Sequence, residues 1–249
     1  MIHSRFALSL IGLLLLQAVF AQEFVFVSDR VYQSPLKSSD GLFYVQEDLF
    51  LFRDGSELRL TKTPHRGEYD PSPSPDGKRI AYLWREVSGP RREAATWEWH
   101  LAVMDPLRAG VEAQWTLPGS RDMTRPAGGF RIAWFSGGNS LLAQVPDEES
   151  GWAVWRFELG AKEGVKVASG YGPYLSPDER RLATLLNGKV HIWDLAARTD
   201  YSLFPGEILG WFDDTTLLVQ SDGGLGAVTV EDGDWQWAAH FEGYYDSFT

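Results

Sequence analysis

The segment Ser74-Pro75-Asp76-Gly77-Lys78-Arg79-Ile80-Ala81-Tyr82 returns, degraded, about a hundred residues later as Ser176-Pro177-Asp178-Glu179-Arg180-Arg181-Leu182-Ala183-Thr184. A chain that reuses one hairpin is built from repeats, so its period constrains the fold before any single element does. Ser first, Pro second and Gly fourth suit a type I turn, because Pro presets φ and the Ser and Asp side chains can bond nearby backbone N–H groups. The apolar alternation after the turn reads as a strand. The repeated motif is therefore strand, tight turn, strand.

Two weaker echoes keep this layout: Trp134-Phe135-Ser136-Gly137-Gly138-Asn139-Ser140-Leu141-Leu142 and Trp211-Phe212-Asp213-Asp214-Thr215-Thr216-Leu217-Leu218-Val219. Ile80, Leu141, Leu182 and Leu217 are spaced by 61, 41 and 35 residues. Those spacings average close to the roughly 40 to 45 residues of a four-stranded propeller blade, with an insertion in the longest. Third-strand positions fall at Leu101 to Asp105, Ala153 to Phe157, Val190 to Asp194 and Gly226 to Val230. Asp48 to Phe52 and Glu57 to Thr61 supply the third and fourth strands of an earlier unit, which makes five units from about residue 23 onward.

The run Asp70-Pro71-x-Pro73-Ser74-Pro75-Asp76-Gly77-Lys78-Arg79-Ile80-Ala81, preceded by Phe52-x-Asp54-Gly55 and Leu58-x-Leu60-Thr61, resembles the repeat of TolB-type β-propellers, the WD40-like PD repeat family. Val190-His191-Ile192-Trp193-Asp194-Leu195 is similar to the strand ending of a WD40 blade. The likeness is most specific over residues 48 to 84, weaker over 170 to 206 and topological elsewhere. It implies an all-β propeller of five four-stranded blades over residues 22 to 249. A sixth blade would arise if Tyr244 to Phe248 joined Glu23 to Arg30. The resemblance further implies an interaction scaffold that binds a protein or peptide.

Residues 1 to 21 have the form of a secretory signal peptide: Arg5, an apolar run from Phe6 to Leu16, and Val19-Phe20-Ala21 before the cleavage point. The expectation is a periplasmic or secreted protein, monomeric, not membrane-spanning after cleavage, with its partner in the cell envelope. Cysteine is absent, which excludes disulfides, thiolate metal sites and cysteine nucleophiles. An exported chain without disulfides depends on its own core, and 44% hydrophobic residues with 11 Trp and 14 Phe can build one. The net charge is −11, one unit more negative without Arg5. Such a balance argues against nucleic acid and anionic lipid, which are bound through Lys and Arg.

The Ser-Pro-Asp turns read as structural, since no histidine is placed to activate the serine. Glu68, Asp70 and Glu207 stand near the starts of inner strands, where two channel carboxylates could serve a hydrolytic propeller as acid and base. Against that, Asp70 occupies a place where the TolB-type repeat commonly has Asp. The acidic turns Asp222-Gly223-Gly224 and Glu231-Asp232-Gly233-Asp234 lack the ligand spacing of a calcium loop, so neither a metal nor a cofactor is expected. Trp97 with Trp99 and Trp235 with Trp237 each share a strand face, which suits packing between blades or an aromatic platform.

The insertion from Arg85 to Thr96 joins the second and third strands of its blade. In propellers such loops share a rim with the connections between blades, here His65-Arg66 and Arg121 to Arg125. Arg66, Arg91, Arg92, Arg121 and Arg125, with Arg85, are therefore expected to converge as a binding face. Arg suits bidentate recognition of carboxylate or phosphate, and loops on a rigid scaffold often carry function.

Overall fold

Alternating apolar segments form strands in the computed structural model, which describes residues 24–28, 36–37, 43–44, 47–63, 66–86, 98–121, 126, 129–221, 224–231 and 234–242. In chain order these begin with β1 (Phe24–Ser28), a short pair β2 (Leu36–Lys37) and β3 (Phe43–Tyr44), then β4 (Asp48–Arg53) and β5 (Ser56–Arg59). β1, β4 and β5 form a first, three-stranded sheet. The second sheet is β6 (Arg66–Pro73), β7 (Ile80–Glu86), β8 (His100–Asp105) and β9 (Gly110–Thr116). The third is β10 (Ile132–Trp134), β11 (Ser140–Asp147), β12 (Gly151–Glu158) and β13 (Val165–Ser169). The fourth is β14 (Tyr171–Leu175), β15 (Arg181–Leu186), β16 (Lys189–Asp194) and β17 (Thr199–Pro205). The fifth is β18 (Glu207–Trp211), β19 (Thr216–Ser221), β20 (Gly224–Glu231) and β21 (Asp234–Glu242).

Each four-stranded sheet is an antiparallel meander, as short turns between successive strands dictate. Consecutive sheets pack through their first strands: β6 lies on β1 and β4, β10 on β6, β14 on β10 to β12, and β18 on β14 to β16. Because side chains alternate across a strand, each sheet has an apolar face for each neighbour. Along β11, Leu141, Ala143 and Val145 join the core shared with the second sheet, and Leu142 joins the one shared with the fourth. Among the described residues no helix is long and apolar enough to cross a membrane.

The repeated turns behave as their residues dictate. Ser74 Oγ donates to Asp76 Oδ1 at 2.7 Å, Asp76 Oδ1 also accepts the Lys78 N–H at 3.1 Å, and Ser74 Oγ accepts the Arg79 N–H at 3.0 Å. The copy at Ser176, Asp178, Arg180 and Arg181 repeats all three bonds. The hydrogen bond from Ser74 holds the Asp76 carboxyl below its ordinary range. The motif also joins sheets: Arg79 Nη1 donates to Gly138 O at 3.2 Å, and Arg181 Nη1 to Asp214 O at 3.0 Å, each on the next sheet's turn. This explains the arginine that closes both copies, a role its sequence position alone did not disclose.

Candidate functional site

The candidate acids lie on first strands of the complete sheets, Glu68 and Asp70 on β6 and Glu207 on β18, while the other two first strands, β10 and β14, carry none. Three of these strands are bulged, with register shifts between Tyr69 and Ser72, Tyr171 and Tyr174, and Ile208 and Gly210. The first bulge holds Asp70 in the left-handed region, φ 52°, where the matching place in β14 has Gly172 at 77°. Asp70 Oδ2 accepts the Phe130 N–H at 2.8 Å and ties β6 to the entry of the third sheet.

Two indoles make parallel ties: Trp134 Nε1 donates to Ser72 O at 2.9 Å, and Trp211 Nε1 to Tyr174 O at 2.8 Å. β14 has Leu175 at this place, so the third and fourth sheets lack the tie. A cleft of about 420 Å³ lies beside that gap, lined by Trp134, Pro173, Tyr174, Leu175, Pro177 and Trp211 among others.

Glu68 is 1% exposed and faces the first sheet. Its Oε1 accepts from Thr63 Oγ1, its N–H donates to Glu47 O at 3.0 Å, and its Oε2 has no partner. Burial pushes its carboxyl up to about 7, opposed by the Thr63 hydrogen bond and reinforced by Asp48. Asp48 is itself fully buried and paired with Arg59. Glu207, by contrast, is exposed at the start of β18, separated from β6 by the whole third and fourth sheets. The three acids thus have three environments: a buried carboxyl, a backbone acceptor and a solvated carboxylate.

Arg66 opens β6, Arg85 nearly closes β7, His100 opens β8, and Arg121 follows β9, so the antiparallel register brings all four to one rim of the second sheet. The Arg66 guanidinium lies 3.8 Å over the Trp84 ring, and Trp84 stacks on His100 at 4.0 Å. Arg85 lies 4.7 Å over Trp99. Burial lowers the His100 pKa. Arg121 is exposed, whereas Arg91, Arg92 and Arg125 lie outside the described residues, as does Trp97. Stacking of guanidinium on indole is a feature the sequence reading missed; the nearest signal was tryptophan or histidine at the ends of the same strands.

Sequence reasoning also passed over Arg131 and Gln144. Arg131 precedes β10, is exposed, and sets its guanidinium 4.9 Å over the Tyr174 ring. Burial raises the Tyr174 phenol, with Arg131 opposing and Tyr171 and Glu207 adding to the rise. Gln144 on β11 is fully buried. Aligning the repeats would have exposed it as an amide at a leucine position.

No protein-family model matches the chain, and no curated protein is significantly similar to it in sequence. Solved structures do match. A prolyl endopeptidase superimposes with a TM-score of 0.54 at 15% identity, over 77% of this chain and 32% of that one. A dipeptidyl aminopeptidase IV described from Bacteroides ovatus gives 0.52 at 10% identity, over 76% and 38%. TolB from Acinetobacter baumannii gives 0.47 at 16% identity, over 78% and 52%. The chain spans about a third of the two peptidases. With successive four-stranded meanders packed through their first strands, this likeness shows a β-propeller fold.

Proposed function

We propose that the chain is an exported, non-enzymatic propeller scaffold that binds a protein or peptide partner of the cell envelope. The carrying observation is the rim of the second sheet, where Arg66 and Arg85 are layered on Trp84 and Trp99 beside exposed Arg121 in a chain of net charge −11. Trp and Arg are the residues that dominate interface hot spots. A local cluster of cations on an acidic molecule would also orient an acidic partner during encounter. In this reading Arg66, Arg91, Arg92, Arg121 and Arg125 form the binding face, the five sheets are five blades, and residues 1–21 are removed on export. The protein acts as a periplasmic or secreted monomer.

A tagged mature chain recovered from the native envelope should bring down a stoichiometric partner. Arg91→Glu with Arg92→Glu should slow its association and flatten the salt dependence, as rim charges do. N-terminal mass spectrometry of exported material should begin at Gln22; an intact Met1 in the membrane fraction would overturn the export reading. Glu68, buried with a carboxyl near 7, favours a second reading, a hydrolytic propeller using Glu68, Asp70 and Glu207. Turnover of a glycan panel by the wild type, abolished by Glu68→Gln, would replace the scaffold with the enzyme.

A further inference from the structure

Position 144 breaks the repeat. The turns are in register through the hydrogen bonds Ser74 N to Arg79 O, Phe135 N to Ser140 O and Ser176 N to Arg181 O. Four residues beyond each of those carbonyls stand Leu83, Gln144 and Leu185, with a half-buried Gln220 in the fifth sheet. Leu83 is fully buried in the core between the second and third sheets. Gln144 is equally buried at 0% exposure, yet neither its Oε1 nor its Nε2 has a hydrogen-bond partner. An amide left unpaired in such a setting is destabilising, so stability alone would favour leucine. A buried polar group without protein partners calls for a reason, and pairing with a ligand on binding is one.

Arg131 stands directly across the ladder from Gln144, whose N–H donates to the Arg131 carbonyl at 3.1 Å. Opposed residues of an antiparallel pair share a face, so the guanidinium and the amide both face the fourth sheet. There Arg131 meets the Tyr174 ring, and no carboxylate pairs with it among the described residues. Gly172 keeps this corner open. A Cβ at its left-handed φ would come within 2.8 Å of the Tyr174 ring and 3.4 Å of Arg131 Cδ. Tyr174 also lines the cleft of about 420 Å³ between Trp134, Leu175, Pro177 and Trp211.

We propose that Arg131 and Gln144 form a carboxylate-binding subsite at the junction of the third and fourth sheets, with the adjoining apolar cleft taking a neighbouring side chain of a peptide ligand. The guanidinium supplies charge and paired donors matched to a carboxylate. With the guanidinium turned from the tyrosine ring to the ligand, the Gln144 amide on the same face supplies its Nε2 as a further donor to the same carboxylate or to a water bridging it. The cost of burying an unpaired amide is then recovered on binding. The subsite deepens the peptide-binding reading above and rests on it.

The test uses the full mature chain and three probes observed by saturation-transfer NMR: acetyl-Leu-Leu with a free carboxylate, its C-terminal amide, and acetyl-Asp-Leu-amide. The free acid should bind at least about tenfold more tightly than its amide. Arg131→Ala should bring the acid down to the amide's level. Gln144→Leu should weaken the acid several-fold while leaving the chain folded and thermally no less stable. Binding of acetyl-Asp-Leu-amide in place of the free acid would assign the carboxylate to an acidic side chain and still support the subsite. Equal binding of acid and amide with acetyl-Asp-Leu-amide binding no more tightly than either, no binding of any probe at about 10 mM, or indifference of the bound probe to Arg131→Ala would overturn it. An envelope partner captured equally by wild type and Arg131→Ala, with no probe bound, removes the subsite and leaves the scaffold reading. Probe binding that depends on Arg131, with no envelope partner found, removes the protein-partner reading and leaves the subsite.

Discussion

The second and third sheets meet through a core that the third and fourth do not reproduce, although both interfaces arise from the same repeat. The former includes Leu83, Trp99, Leu101, Trp115, Phe130, Trp134 and Phe157, linked by ring contacts from Tyr69 through Trp99 to Phe130. It carries the indole tie from Trp134 to Ser72 and the arginine tie from Arg79 to Gly138. The latter includes Phe135, Leu142, Val154, Ala168 and Leu182, has Leu175 where a tying indole would be, and buries Gln144. A repeat therefore sets which faces meet, while the individual residues decide whether a junction is filled for stability or left with unpaired polar atoms and a cleft beside it. Such departures from local consistency are expected where a protein binds something.

The largest expected effect tests the filled junction. Trp99→Ala should cost about 3–5 kcal/mol in chemical denaturation, against about 2–3 for Leu182→Ala in the thinner one. Equal losses would erase the contrast between the two junctions. A third junction, between the first and second sheets, supplies a pH effect of order 3 kcal/mol, taking about 1.4 kcal/mol per unit. Folding raises the Glu68 carboxyl from 4.5 to about 7, so the native state keeps a proton that the unfolded chain releases between those values. Its contribution is full below about pH 4.5, falls as pH rises through 7, and stays low above. Glu68→Gln should flatten that part of the stability profile, and a profile unchanged by the substitution would sink the assignment.

Gln144→Leu should raise stability by about 1–3 kcal/mol, because it removes an unpaired buried amide and restores the residue of the second and fourth sheets. A loss on that substitution would mean that the amide is already satisfied by bound water. The smallest effect belongs to the turns. Asp76→Ala or Asp178→Ala should each cost about 1 kcal/mol through the lost bonds to Ser74 and Lys78 or to Ser176 and Arg180, and should leave peptide binding intact. A stable variant that lost its ligand would make these turns part of the site.

The strands, their order and the Ser-Pro-Asp turns were legible in the sequence because each depends on residues a few positions apart: alternation, a φ preset by Pro, a side chain bonding two or three residues ahead. The third and fourth strands of the first unit were legible for the same reason; of the insertion expected from Arg85 to Thr96, Arg85 and Glu86 belong to β7 and the rest lies outside the described residues. Site chemistry was not, since it depends on contacts between sheets. Asp70 reads as a channel carboxylate or a repeat Asp, and in the fold it accepts the backbone N–H of Phe130, 60 residues on. Glu68 looked like a channel acid, but a hydroxyl from Thr63 and the packing of the first sheet make it a buried carboxyl. Arg66 and Arg85 looked like free cations, and the fold lays them on tryptophans that sequence spacing could not align with them. By itself the sequence determined a repeating antiparallel architecture, because hairpins are local. Which polar groups are buried, stacked or left facing a cleft was decided only when successive sheets packed, because that packing joins side chains some 40 to 60 residues apart.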